Sequence, residues 1–198
     1  MIFTLFIGTI LWFLLFVIKP INFWLEMSLS ISTLVLLSLV FSRDHIKIKR
    51  VTLRHIFLGI SSAAVLYAIF YLGNIISGYL LPFKDAEILS VYSNRANGSL
   101  LWIGLLLLFI IGPGEEIYWR GYIQNSLSKK MGENKGYMIS VLLYAGVHII
   151  TGNVMLVIAA FVCGIYWGWL YKKEKTLVPV IISHALWDLT VFVIFPLM

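Results

Sequence analysis

Residues 100–111 form the run LLWIGLLLLFII, which contains no charged residue. A second long apolar run occupies residues 2–18. Strands of a membrane barrel alternate apolar and polar side chains, whereas these runs are unbroken, so they indicate membrane-spanning helices. The sequence therefore predicts an all-α fold, a polytopic bundle of transmembrane helices.

The composition of the whole chain agrees with a membrane protein. Of its 198 residues, 61% are hydrophobic and only 12% are charged. A soluble domain carries about 25% charged residues, so this chain has about half the charge that a water-facing surface needs. The composition excludes soluble enzyme folds, disordered tails and disulfide scaffolds.

Apolar runs bounded by charge, proline or glycine predict about seven spans. After the run at 100–111 comes Gly112-Pro113-Gly114, followed by EEIYWRGYI at 115–123. Either the helix kinks there and runs on, or a second amphipathic helix begins. The predicted spans are residues 2–18, 21–41, 56–82, 99–127, 137–150, 154–171 and 177–197.

Most basic residues fall in three of the predicted connections. The net charge of +6 therefore indicates membrane topology rather than a nucleic-acid partner. By the positive-inside rule these loops and the N-terminus face the cytoplasm and the C-terminus is external. Eleven of the 15 lysines and arginines belong to this set: Arg43, Lys47, Lys49, Arg50, Arg54, Lys129, Lys130, Lys135, Lys172, Lys173 and Lys175.

Ionisable side chains inside the predicted spans are costly in lipid, so each is a candidate functional residue. Glu26 lies near the start of its span, where it is expected to reach water, so we predict no functional role for it. At a rise of about 1.5 Å per residue, the others reach a similar depth in three spans and can form one site. They are Glu115, Glu116, Arg120, His148, His184 and Asp188.

The spacing of these residues indicates pairs. His184 and Asp188 are four residues apart, so they share a helix face on which the carboxylate can orient the imidazole. Glu116 and Arg120 have the same spacing and predict a buried ion pair.

Glu115 is the carboxylate left over. Its side chain points about 100° away from that of Glu116, so it can face a cavity. There it can act as a general base on water, with His148 as the partner that shares the proton.

Three motifs follow one another between residues 112 and 188. Together they resemble the signature of the CPBP family of intramembrane proteases, also called the CAAX protease or bacteriocin-processing (Abi) family. The resemblance implies a single integral-membrane domain, in which residues 1–98 supply helices without a motif and residues 99–198 form the catalytic core. The motifs are Glu115-Glu116-x-x-x-Arg120, Tyr144-x-x-x-His148 and His184-x-x-x-Asp188.

The resemblance also implies an activity. Members of this family are membrane endopeptidases with an active site open to the cytoplasm, and the chain is expected in the cell membrane. By position, Glu115 would activate water with His148, while His184 and Asp188 would hold the oxyanion or a cation. Supporting roles are implied for Glu116, Arg120 and Tyr144.

Two residues depart from the family pattern. The position of Tyr144 is usually Phe, and that of Asp188 is often Asn. An ionised Asp cannot donate a hydrogen bond to an oxyanion, so Asp188 is protonated, orients His184, or helps to hold a cation. Two mechanisms therefore stay possible, one that uses a divalent cation such as zinc and a metal-free glutamic one. The candidate ligands are Glu115, His148, His184 and Asp188.

The expected function is hydrolysis of a peptide bond in a membrane-associated peptide or a lipidated protein. The alternative is a non-enzymatic membrane protein that uses the same polar cluster, either a bacteriocin-immunity or peptide-binding protein or a transporter with a proton or cation site. A transporter more often shows two related halves with paired broken helices, and no such repeat is visible. The expected partners are the substrate and the bilayer, and the oligomeric state stays open.

Overall fold

The computed structural model describes residues 1–42, 46, 48 and 50–198, so Arg43, Lys47 and Lys49 of the first basic loop lie outside the described residues. All regular elements in the described part are helical, which confirms the predicted fold class. The helices are α1 (Ile2–Ile18), α2 (Phe23–Ser42), α3 (Leu53–Leu80), α4 (Lys84–Tyr92), α5 (Leu100–Met131), α6 (Glu133–Val147), α7 (Val154–Glu174) and α8 (Val178–Ile194).

Four helices of the described chain, α2, α3, α5 and α7, are long and apolar enough to cross a membrane. Helices α1 and α8 are apolar but shorter, and α6 has only 15 residues. A helix needs about 20 apolar residues to cross a bilayer, so the predicted number of seven spans stays a prediction. The cytoplasmic position of the N-terminus also stays a prediction. Large apolar side chains on the outside of the bundle, such as Val40, Phe57 and Phe109, fit contact with lipid.

Helix α5 runs through Pro113 without ending. On either side of its central segment Gly112–Glu116 lie the π-helical segments Leu107–Ile111 and Ile117–Gln124. A proline removes one backbone donor and crowds the preceding turn, and widened turns are a common way for a helix to continue past such a disturbance. Of the two alternatives, the helix that runs on is the one found.

Two glycines let α5 approach its neighbours closely. A Cβ atom at Gly112 would lie 3.0 Å from the Cα atom of Ala185 in α8, and one at Gly114 would lie 2.2 Å from Cγ2 of Ile31 in α2. Real side chains do not tolerate the second distance, so only glycine permits this packing. The central segment of α5 is thereby held between α2 and α8, next to the candidate carboxylates.

One buried core joins the N-terminal helices to the motif-bearing part. Trp12 of α1, Ile31 of α2 and Leu66 of α3 belong to the same buried cluster as Trp119 and Trp167. The first three helices are therefore packed directly around the motif-bearing ones.

Helix α4 lies in the polar connection 83–98, for which the sequence predicted no helix. Its Glu87 is tied to the start of α7, since the carboxylate accepts from the backbone N–H of Met155 over 2.8 Å. The backbone carbonyl of Glu87 accepts from Nδ2 of Asn153, also over 2.8 Å. Hence α4 lies beside the N-terminal end of α7.

Candidate active site

Most of the motif side chains line one cavity of about 380 Å³. Each lining motif residue is at most 7% exposed to solvent. Glu116 and Arg120 are fully buried behind the wall of this cavity. The lining motif residues are Glu115, Tyr144, His148, His184 and Asp188.

Tyr144 connects Glu115 to His148. Its hydroxyl donates to Oε2 of Glu115 over 3.0 Å, and its backbone carbonyl oxygen lies 2.8 Å from Nδ1 of His148. Because a carbonyl oxygen can only accept, Nδ1 carries the hydrogen and Nε2 keeps its lone pair. The sequence analysis paired Glu115 with His148 directly, and the structure links them through Tyr144.

The free nitrogen of His148 meets Trp12 of α1. The indole N–H of Trp12 points to Nε2 over 3.5 Å, and the two rings meet edge to face with centroids 6.1 Å apart. Sequence reasoning missed Trp12, since it lies in an apolar run without a motif. Its indole N–H was the only available signal, because a buried Trp usually finds a hydrogen-bond partner.

Glu116 joins Arg120 to His184. Its Oε1 atom accepts from Nη1 of Arg120 over 2.9 Å and lies 2.6 Å from Nδ1 of His184. Arg120 also donates to the backbone carbonyl of Cys163 over 3.3 Å. The ion pair expected from the spacing is present, and it also orients the imidazole of His184, which the sequence did not indicate.

His184 is held on three sides. Its Nε2 atom lies 3.4 Å from Oδ2 of Asp188, and its ring stacks on Trp167 with centroids 3.7 Å apart. Trp167 is itself fixed by a hydrogen bond of 3.1 Å from its indole N–H to Oγ of Ser183. Among the three roles considered for Asp188, this geometry favours orientation of His184.

Within the part of the chain that the structure describes, no three His, Cys, Asp or Glu side chains are placed to hold a metal ion. The four candidate ligands line one cavity but lie in two groups, Glu115 with His148 and His184 with Asp188. A catalytic zinc takes three protein ligands, so this arrangement does not fit such a site.

Comparison with known proteins agrees with the motifs. The family model for type II CAAX prenyl endopeptidase Rce1-like proteins matches residues 97–190, a region that contains all three motifs. No curated protein and no solved structure is significantly similar to the chain. The resemblance to the CAAX proteases is thereby confirmed, since residues 97–190 are similar to the Rce1-like family of CAAX prenyl endopeptidases.

Proposed function

We propose that this integral membrane protein is an endopeptidase that cleaves a membrane-associated peptide or a lipidated protein within the bilayer. The observation that carries the proposal is the buried pair of acceptors in one cavity, the carboxylate of Glu115 and Nε2 of His148, joined by Tyr144. The family match supports protease chemistry in this region of the chain.

Glu115 is the proposed base. It takes a proton from a water molecule in the cavity, and the hydroxide attacks the carbonyl carbon of the scissile bond. Glu115 passes this proton to Nε2 of His148, which delivers it to the leaving nitrogen as the C–N bond breaks, so one water is consumed and an acid and an amine are released. His148 suits this step because its Nδ1 carries the hydrogen, so Nε2 keeps its lone pair and can accept a proton in place of the long contact of 3.5 Å from the indole N–H of Trp12.

His184 is the proposed donor to the tetrahedral oxyanion. With Nδ1 directed to Glu116, its Nε2 atom borders the cavity only 3.4 Å from Asp188. The proposed donor is the imidazolium, which carries a hydrogen on both nitrogens. Glu116 and Trp167 fix the imidazole plane, so the Nε2–H group points to the developing negative charge without reorganisation of the ring. Asp188 acts through His184 as a positioning residue.

The cavity wall supports an apolar substrate. Beyond the polar groups it is lined largely by aromatic and aliphatic side chains, among them Phe16, Phe23, Phe70 and Trp187. Such a wall suits apolar residues or a lipid chain on a peptide. This agrees with a family that acts on CAAX-type substrates. The cell membrane is the proposed location, and no nucleic acid is proposed as a partner.

The test is Glu115→Gln in the purified protein in proteoliposomes. The probe is a quenched fluorescent peptide with a farnesyl group on a cysteine near its C-terminus. The same peptide without the farnesyl group shows whether the enzyme recognises the lipid. General base catalysis contributes roughly 10²–10⁴-fold, so we expect at least about a hundredfold loss of kcat. His148→Ala and His184→Ala are expected to abolish turnover.

Glu26→Gln is the matched control. Glu26 was expected to reach water but is buried, with 6% exposure; it lies in α2 and does not line the cavity. Its substitution is expected to leave turnover unchanged. Equal turnover by Glu115→Gln and the parent would refute the protease and favour the peptide-binding, immunity or transport role. In cells, the peptides lost on deletion should also be lost in the Glu115→Gln strain.

A chelator separates the glutamic from the metal mechanism. The proposed reaction needs no cation, so turnover should survive dialysis against EDTA, and metal analysis should find less than one zinc per chain. Loss of turnover that zinc restores would instead assign a cation to Glu115, His148, His184 and Asp188.

A further inference from the structure

A second cavity lies where the end of α5, the first turn of α6 and the end of α7 meet. Its volume is about 210 Å³. Among the described residues, none that lines this cavity also lines the catalytic one, and none belongs to the three motifs. The second cavity is therefore a separate candidate binding site.

Close backbone packing frames this cavity. A Cβ atom at Gly136 would lie 2.3 Å from the backbone nitrogen of Ser128, so the start of α6 rests directly on the end of α5. Gly132 makes the turn between the two helices with a φ of +86°, a conformation that suits glycine. Its N–H group donates to the carbonyl of Ser128 over 3.0 Å. The wall between α5 and α6 is thus fixed by the backbone.

The rim of the second cavity is positively charged. Three lysines and one glutamate line it, which leaves an excess of two positive charges. Lys175 is paired with Glu133, whereas Lys172 donates to the neutral side-chain oxygen of Asn134 over 2.5 Å. Within the described part of the chain, neither Lys172 nor the exposed Lys129 forms an ion pair with a carboxylate. A cleft lined by unbalanced charge of one sign attracts ligands of the other sign, so the expected ligand is an anion.

A buried amide lies beneath this rim. Gln124 lines the cavity but is only 2% exposed. Its Nε2 atom donates to the carbonyl of Gly168 over 2.9 Å, while its Oε1 atom has no hydrogen-bond partner among the described residues. A buried acceptor without a donor is costly and rare in folded proteins. A ligand that brings a hydroxyl group would supply the missing donor.

The second cavity lies at the level of lipid headgroups, whichever face of the bilayer this end of the bundle occupies. Both α5 and α7 are long and apolar enough to cross a membrane, and the cavity lies at the C-terminal end of each. Trp169 nearby on α7 is 48% exposed, and the ammonium group of Lys173 lies 5.1 Å from the centroid of its ring. Exposed tryptophan is typical of the boundary between membrane and water. The anion present at this level is the phosphate of a lipid.

We propose that the second cavity binds an anionic phospholipid whose headgroup carries a hydroxyl group, as in phosphatidylglycerol. Lys129 and Lys172 hold the phosphate, and the headgroup hydroxyl donates to Oε1 of Gln124. Glycerol phosphate offers the same chemistry without acyl chains, so the experiment separates the two sources. The proposal goes beyond the peptidase and does not depend on its activity.

The bound lipid joins two helices that hold the candidate active site. Gln124 follows Arg120 by one turn of α5, and its partner Gly168 is next to Trp167, which stacks on His184. A lipid bound by Gln124 and Lys172 links α5 to α7 in the folded protein only. Because a ligand that binds only the folded state stabilises it, phosphatidylglycerol should raise Tm.

The test is lipid retention by the purified protein in detergent, measured by native mass spectrometry after addition of phosphatidylglycerol and phosphatidylcholine in equal amounts. We expect one phosphatidylglycerol per chain and little phosphatidylcholine. A lysine near an anionic lipid contributes roughly fivefold in affinity. Lys129→Gln should therefore weaken binding of phosphatidylglycerol about fivefold, and the double variant with Lys172→Gln about 25-fold.

The matched control is the double variant with Lys130→Gln and Lys173→Gln. These lysines are the chain neighbours of Lys129 and Lys172, but neither lines the cavity. The control removes the same charge from the same helix ends and should retain phosphatidylglycerol as the parent does. Tm without lipid shows whether each variant is folded. Lys129→Gln alone changes an exposed side chain, so it keeps the test valid if the loss of Lys172 destabilises α7.

Equal weakening by the two double variants would overturn the second cavity as the site, and equal retention of both lipids would overturn the anion. Phosphatidylmethanol has the same charge as phosphatidylglycerol without the headgroup hydroxyl. It should be retained less, and equal retention would overturn the role of Gln124. A rise in Tm with glycerol phosphate equal to that with the lipid would overturn a lipid as the occupant. Glu115→Gln should bind phosphatidylglycerol like the parent, so failure of this site and failure of the proposed function are distinguished.

Discussion

Tyr144 is the residue whose contribution can be isolated by the smallest change. Tyr144→Phe removes the hydroxyl that donates to Glu115 and keeps the backbone carbonyl that holds His148. A hydrogen bond to a charged group contributes about 1.5–3 kcal/mol, so we expect a loss of roughly 10- to 100-fold in kcat with little change in KM. Steady-state kinetics on the farnesylated probe measure the effect.

Tyr137→Phe is the control for this change. Tyr137 lies on the same helix and donates to the carbonyl of Ile165 over 2.9 Å, but it does not line the cavity. Its loss should leave kcat unchanged. Equal kcat of Tyr144→Phe and the parent would show that the hydroxyl does not act on Glu115.

At the residue scale, helical spacing made part of the site predictable. The pairs Glu116 with Arg120 and His184 with Asp188 follow from four-residue spacing, and both are in contact. The link from Glu116 to His184 was not predictable, because it joins two helices whose relative rotation is set by packing. For the same reason, the indole N–H of Trp12 indicated a hydrogen-bond partner but not that the partner is His148.

At the scale of the element, the central segment of α5 depends on Gly114. A Cβ atom in Gly114→Ala would lie 2.2 Å from Cγ2 of the fully buried Ile31, so α2 or Glu115 must shift. Overpacking of this kind costs about 1–3 kcal/mol. We expect a lower Tm in detergent and a loss of turnover, and Ile31→Ala in the same chain should restore part of both.

Gly146→Ala provides the comparison within a helix of the same site. No atom lies within 4 Å of the Cβ atom that it would add, although Gly146 is only two residues from His148. Its Tm should stay equal or rise slightly, because alanine favours the helix over glycine by up to about 1 kcal/mol. If both alanines lowered Tm alike, close packing at Gly114 would not be the cause.

Hydropathy predicted the helices well where the apolar runs were long. It did not predict them where the runs were short or interrupted. The helix through Pro113 could not be decided from the sequence, because a proline permits either a break or a widened turn. Helix α4 was missed because its segment KDAEILSVY is short and carries three charges. Its position depends on the contact of Glu87 with α7, which is a tertiary interaction.

At the scale of the whole molecule, the site needs a helix outside the matched region. Trp12 of α1 is 1% exposed and reaches His148, whereas the family match begins at residue 97. Trp12→Phe keeps an aromatic ring and removes the N–H group, so the orientation of His148 should loosen. We expect roughly a three- to tenfold lower kcat, because a neutral hydrogen bond contributes about 0.5–1.5 kcal/mol. Trp169→Phe is the control, because Trp169 on α7 is 48% exposed, and it should leave kcat unchanged. If Trp12→Phe and Trp169→Phe had the same kcat, the catalytic machinery would be confined to the matched region.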